Sequence, residues 1–203
     1  MKRLFAIVAT LLVAGLAAFG CSSMPFGDSG WTTLIDGAAG LDNFNRIGDA
    51  NWRAEDGAVV ADRGKGGYLV SKNSYRDFQI RAEFWADHNT NSGVFLRCAD
   101  PNKAGAATCY EVNIYDERPG PEYSTGGIVD VAKVQPIYKA GGKWNTYEIT
   151  AKGSQLTVVF NGVKTVDIQN SKHAQGPFAL QFGNHGKAPG GAIKWRKVQI
   201  KPI

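Results

Sequence analysis

Histidine and cysteine are both scarce, at three each in 203 residues. His88, His173 and His185 contain no His-x-x-x-His or His-Glu-x-x-His spacing, which argues against a zinc site. The chain also lacks a Gly-x-Ser-x-Gly elbow and a glycine-rich phosphate loop opening a helix, so α/β-hydrolase and nucleotide-dependent readings fall away. Lysine and arginine form no run and no basic helix. The net charge of +5 is spread along the chain and drops by two without Lys2 and Arg3, which argues against nucleic acid as a partner. Residues 4–16 are the one long apolar run, shorter than the ~20 residues a spanning helix needs. Beyond it, no extended segment keeps a helical period.

What is present begins with a leader. Lys2 and Arg3 precede the apolar run, and Ala17-Ala18-Phe19-Gly20-Cys21 follows it. Residues 1–20 read as a secretory signal ending at a lipoprotein-type cleavage site, with Cys21 the expected lipidated first residue. Ala18 stands where such sites usually carry Leu. The alternatives are an ordinary signal cut nearby or an uncleaved anchor. Residues 21–30 form a Gly/Pro/Ser-rich tether. Ser22, rather than Asp, after the cysteine leans towards the outer membrane, so the expected location is the cell envelope, facing the periplasm or the cell surface. In an exported chain the remaining pair, Cys98 and Cys109, is expected to form a disulfide, the alternative being two free thiols.

From Trp31 onward the pattern is β throughout. Expected strands are 31–35, 51–54, 58–61, 68–71, 77–85, 92–98, 108–115, 128–131, 143–151, 155–160, 163–168, 177–182 and 192–201, with a short helical turn within 38–44. Asn161-Gly162 between two alternating runs is the strongest hairpin signal. In 77–85, Phe78, Ile80, Ala82 and Phe84 alternate with Gln79, Arg81, Glu83 and Trp85, one face for a core and one for solvent. Many short strands and no internal repeat predict an all-β, two-sheet antiparallel sandwich or jelly roll over 31–203.

The stretch 92–116 concentrates the chemistry. Tyr110, Val112 and Ile114 alternate with Glu111, Asn113 and Tyr115, so a carboxylate and an amide share one strand face, an arrangement suited to polyol recognition or proton transfer. Arg97, on the neighbouring strand, is expected on the same face, and Asp116 in the loop that follows. Trp85, Tyr110, Tyr115, Tyr123, Trp144 and Trp195 offer rings for sugar stacking, although about three of the five tryptophans are expected in the core. His185, in a glycine-rich loop, is either an acid/base or a surface residue. Asp87, Asn89 and Asn91 offer oxygens to a divalent cation such as calcium, without a full calcium-loop signature.

Several motifs occur in order: Leu34-Ile35-Asp36-Gly37, Leu41-Asp42-Asn43-Phe44, Trp52-Arg53-Ala54-Glu55-Asp56-Gly57 and Tyr75-Arg76-Asp77-Phe78. They continue through Asn91-Ser92-Gly93-Val94-Phe95-Leu96-Arg97, Tyr110-Glu111-Val112-Asn113-Ile114-Tyr115-Asp116, Lys143-Trp144-Asn145-Thr146-Tyr147-Glu148-Ile149 and Lys194-Trp195-Arg196-Lys197-Val198. This series resembles the 3-keto-disaccharide hydrolase domain family, from Trp31 to Ile203. The resemblance implies a concanavalin A-like jelly roll, a carbohydrate partner and cleavage of glycosides whose sugar is oxidised to a ketone at C3. It implies Glu111 or His185 as base or acid, with Asp116 assisting. Arg97 and Asn113 would position the sugar and stabilise the oxyanion, and Tyr115 and Trp144 would contact it. Two departures stand out. Many members carry Gln where Asn113 stands, and many have Asp-His-Gly directly after Leu-Gln, whereas here Phe182-Gly183-Asn184 separates Gln181 from His185. A non-catalytic glycan-binding envelope protein on the same fold is the alternative.

Overall fold

The alternation in β6 (Phe78–Ala86) sets the architecture: its apolar positions are buried and the residues between them face outward. The computed structural model describes residues 29–183 and 191–203. In chain order the other strands are β1 (Thr32–Asp36), β2 (Phe44–Gly48), β3 (Arg53–Glu55), β4 (Ala58–Ala61), β5 (Gly66–Ser71), β7 (Ser92–Leu96) and β8 (Tyr110–Ile114). They continue with β9 (Trp144–Lys152), β10 (Gln155–Phe160), β11 (Val163–Gln169), β12 (Ala179–Gly183) and β13 (Ile193–Pro202). One sheet runs β11-β10-β9-β6-β13-β4-β3, with β1 also paired to β13; the other runs β2-β5-β12-β7-β8. Every strand pairing is antiparallel. The result is the expected two-sheet jelly-roll sandwich.

The core lies between the sheets. Phe84, Tyr147, Phe160 and Trp195 from the larger sheet pack with tilted or stacked rings, and Val94, Leu96, Tyr110, Val112, Ile114, Leu180 and Phe182 close it from the smaller one. Each large apolar side chain so buried contributes about 1.5–3 kcal/mol. Tyr110 and Trp195 are therefore core residues rather than sugar platforms. Two tryptophans, Trp52 and Trp195, are buried, where three were expected.

Asn161 and Gly162 both have positive φ, the conformation of a tight two-residue hairpin turn, and they join β10 to β11 as expected. The expected turn within 38–44 is a 3-10 helix over Leu41–Asn43. Two expectations need correction. Residues 128–131 do not form a strand: the chain turns back at Asp130 (φ 57), and both Val131 and Ala132 donate to the Ile128 carbonyl. Conversely β2 escapes the sequence reading, because it is an edge strand in which Phe44 alone is buried and no alternation marks it.

Candidate functional site

Glu111 lies on the outward face of the smaller sheet, yet it is only 8% exposed. Four strands explain this. On β8, Glu111 is directly opposite Phe95 of β7, and Gly93 of β7 is opposite Asn113. A Cβ placed on Gly93 would come 3.5 Å from Glu111 Cγ, so the carboxylate arm lies over the space that the glycine leaves open. Leu180 of β12 pairs with Val94, which sets Gln181 beside Gly93, and Gln181 pairs with Tyr68 of β5. Tyr68, Gln181 and Gly93 thus form a row across β5, β12 and β7, and Glu111 of β8 lies diagonally beside Gly93.

Below the row, the Phe95 ring meets Tyr68 edge-on at 5.3 Å, within a small apolar cluster of Val70, Phe95, Cys98, Cys109 and Ala179. Cys98 and Cys109 are joined as the expected disulfide, which holds the ends of the 99–108 loop against this cluster. The backbone of Val129 binds the outer edge of β8 at the Glu111 carbonyl.

The electrostatics follow from this enclosure. Burial pushes the Glu111 carboxyl up to about 7; the charge of Asp130 adds to the shift and Arg118 opposes it. Among the described residues, no hydrogen bond or ion pair holds this carboxylate. Burial also raises Tyr68, partly offset by the hydrogen bond from Gln181. Gln181 Nε2 donates to the Tyr68 hydroxyl at 3.2 Å. Gln181 Oε1 and Arg118 Nε are buried without a partner, and such atoms favour a polar ligand. An open groove of about 640 Å³ runs on from this row, lined by Tyr68 and Gln181 and then by Ile47, Asp49, Lys65 and Asn91. That volume lies in the range of small-molecule sites.

The remaining sequence-derived positions fall elsewhere. Arg97 does not share the Glu111 face. It takes a left-handed φ of 50° just past β7, and its buried guanidinium binds the carbonyls of Arg76, Gly153 and His173 and the Asp77 carboxylate. Asp116 has the parity of the core face, opposite Glu111. Its buried carboxylate accepts from the Thr125 hydroxyl and from the Ala140 and Gly141 amides, so it organises a loop rather than facing the groove. Asn113 shares the parity of Glu111 but is fully buried, with Nδ2 bound to the Tyr123 carbonyl. Tyr115, half-buried, donates its backbone amide to Thr125. Trp144 is on the other sheet, with the Arg196 guanidinium 4.3 Å over its ring. His185 and Cys21 lie outside the described residues.

Asp87 and Asn89 pack against Gly191, and Asn91 against Gly183. Asp87 is the one carboxylate among these three donors, and no group of three or more His, Cys, Asp or Glu side chains is placed to hold a metal ion among the described residues. Sequence reasoning missed Tyr68, Gln181 and Arg118 as site residues. Gln181 stood within a recognised motif, but only the pairing of β12 with β5 and β7 brings it to Glu111.

Comparison with solved structures bears out the jelly-roll fold. A candidate glycosyl hydrolase from Parabacteroides distasonis superposes with a TM-score of 0.67 at 23% identity, covering 85% of this chain and 99% of its own. A second from the same organism gives 0.64 at 19% identity, covering 86% and 88%. The carbohydrate-binding module CBM66 of Bacillus subtilis gives 0.58 at 13% identity, covering 85% and 95%. No curated protein matches the chain. Residues 30–201, nearly the whole span from the first described strand to the last, match one family, and the chain belongs to it: the 3-keto-alpha-glucoside-1,2-lyase-like domain family.

Proposed function

We propose that this protein cleaves glycosides carrying a ketone at C3 of the sugar, with Glu111 as the proton-transferring residue. The observation that carries the proposal is Glu111 itself: buried, unpartnered among the described residues, and held near 7, where a carboxylate exchanges protons most effectively at neutral pH. Family membership supports action on glycosides.

The ketone acidifies the proton on C2. The Glu111 carboxylate takes that proton, and the C2–H electron pair moves into the C2–C3 bond, leaving an enolate oxygen at C3. Collapse of the enolate re-forms the ketone, makes the C1–C2 double bond and expels the C1 leaving group, which takes up a proton. Water then adds its oxygen to C1, and a proton returns to C2. Tyr68 and Arg118 supply donors for the enolate oxygen. The hydroxyl oxygen of Tyr68 already accepts from Gln181, so its own hydrogen is free to donate, and Arg118 Nε is unpaired. Gln181 Oε1 accepts from a sugar hydroxyl. This route needs one base rather than the paired carboxylates of ordinary glycosidases.

In this reading the protein is exported and lipidated at Cys21, acting in the cell envelope. The test incubates the protein with a 3-keto-glucoside and with its unoxidised parent, with and without EDTA, and follows aglycone release. Release from the keto sugar alone, abolished in Glu111→Gln, supports the proposal. Glycan binding without release from either sugar instead supports a binding role, the second reading, which the likeness to CBM66 favours.

A further inference from the structure

The outward face of the larger sheet is as distinctive as the groove. It lies on the opposite side of the sandwich from Glu111. Trp85 of β6 and Trp144 of β9 are directly opposite each other in the ladder. Lys194 of β13 sits 5.1 Å over the Trp85 ring, and Arg196 lies over Trp144. Further along, Arg81 lies 4.4 Å over Trp31, just before β1. Three of the chain's five tryptophans thus share this face, each beneath a cation.

The charge here is one-sided. Arg81, Lys152, Lys194, Arg196, Lys197 and Lys201 point outward from β6, β9 and β13, against the acids Glu83 and Glu148. The excess of four positive charges on three strands compares with +5 for the whole chain. An open groove of about 330 Å³ between Arg81, Glu83, Glu148 and Lys197 leaves the face accessible.

We propose that this face rests on an anionic lipid bilayer. Indole rings favour the headgroup layer, and clustered Lys and Arg are drawn to negatively charged lipid. The path of the chain agrees with this. Trp31, at the start of the described domain, is itself part of the face. Lipidation at Cys21 would place the bilayer no more than roughly 35 Å of extended chain from it. Charge and aromatic rings mark the face by themselves, and the proposed lipidation adds only the nearness of the membrane. In this orientation Glu111 and the groove beside Tyr68 and Gln181 look away from the lipid, towards soluble substrate.

The experiment uses the full chain with vesicles of phosphatidylcholine, and of the same lipid with roughly a third replaced by phosphatidylglycerol. Lysines are acylated with a membrane-impermeant amine reagent and quantified one by one. Slowing of at least about threefold at Lys152, Lys194, Lys197 and Lys201 on the anionic vesicles, relieved by high salt, is the expected result. Lys65 and Lys103, outside this face, react equally on both. The double variant Arg196→Glu, Lys197→Glu, altered at the surface, loses the protection. Equal labelling of every lysine, or slowing at Lys65 and Lys103 instead, overturns the proposal. Protection by a soluble acidic polysaccharide, with none from anionic vesicles, overturns it in favour of a glycan-binding face. Flotation with pure phosphatidylcholine vesicles reads attachment through the N-terminus separately.

Discussion

Gln181 and Tyr68 face each other across β12 and β5, and the amide Nε2 donates to the phenol oxygen at 3.2 Å while its Oε1 remains buried and unpaired. The bond orients the amide, leaving an acceptor from Gln181 and a donor from Tyr68 for a ligand. Tyr68→Phe removes the donor and the orientation together. A loss of about 10- to 100-fold in kcat/KM on a 3-keto-glycoside is expected, the scale of one or two ligand hydrogen bonds. Gln181→Leu is expected to lose activity similarly, with an unfolding free energy within about 1 kcal/mol of the parent, because it also removes an unsatisfied buried oxygen. Steady-state kinetics with urea denaturation checks both.

Glu111→Gln separates function from stability. Activity is expected to fall by at least about a hundredfold through loss of the base. Stability moves the other way with pH. The folded carboxyl sits at about 7 against an ordinary 4.5, so the folded protein holds this proton more tightly than the unfolded chain. That stability is complete below pH 4.5 and is lost as pH rises through 7. At pH 8 the glutamine variant is expected to be more stable by up to about 3 kcal/mol, with the gain vanishing towards pH 4.5. Denaturation at the two pH values measures this, and no difference between them would show that burial does not raise the Glu111 carboxyl. The kcat/KM of the parent is expected to rise with pH through an apparent pKa near 7.

Arg97→Met is expected to cost stability. The substitution abandons three carbonyl acceptors and the partly exposed Asp77 carboxylate, all now bound by one buried guanidinium. A loss of about 3–5 kcal/mol is the scale for breaking such a buried set. Wild-type KM in the fraction that remains folded would confirm that Arg97 never meets substrate; a KM raised tenfold with stability intact would reverse that conclusion.

Asp116→Ala orphans the Thr125 hydroxyl and the amides of Ala140 and Gly141. About 2–4 kcal/mol is expected, together with faster amide hydrogen exchange at Ala140 and Gly141.

Reduction of Cys98–Cys109, separated by 11 residues, is expected to cost about 3 kcal/mol by the chain-entropy argument. Urea titration with and without reductant tests it. The smaller sheet beneath Glu111 is the part expected to loosen, because the bridge belongs to the apolar cluster under the site.

Much of this protein was legible in its residues. Period-two alternation is a property of neighbours along the chain, so Phe78 to Phe84 and Tyr110 to Ile114 announced strands, their inner faces and the sandwich itself. Asn161-Gly162 announced its turn for the same local reason, since both residues tolerate positive φ. Glu111 was marked by its place on the polar side of a strand. What stayed hidden depends on which strands lie side by side and where the chain leaves strand geometry. The register of β5, β12, β7 and β8 gathers Tyr68, Gln181, Gly93 and Glu111 from widely separated parts of the chain. The left-handed turn at Arg97 sends that side chain away from them, and strand parity puts Asp116 on the core side. Burial, and with it the carboxyl near 7, comes only when apolar groups from distant segments exclude water from one face; no single segment encodes that environment.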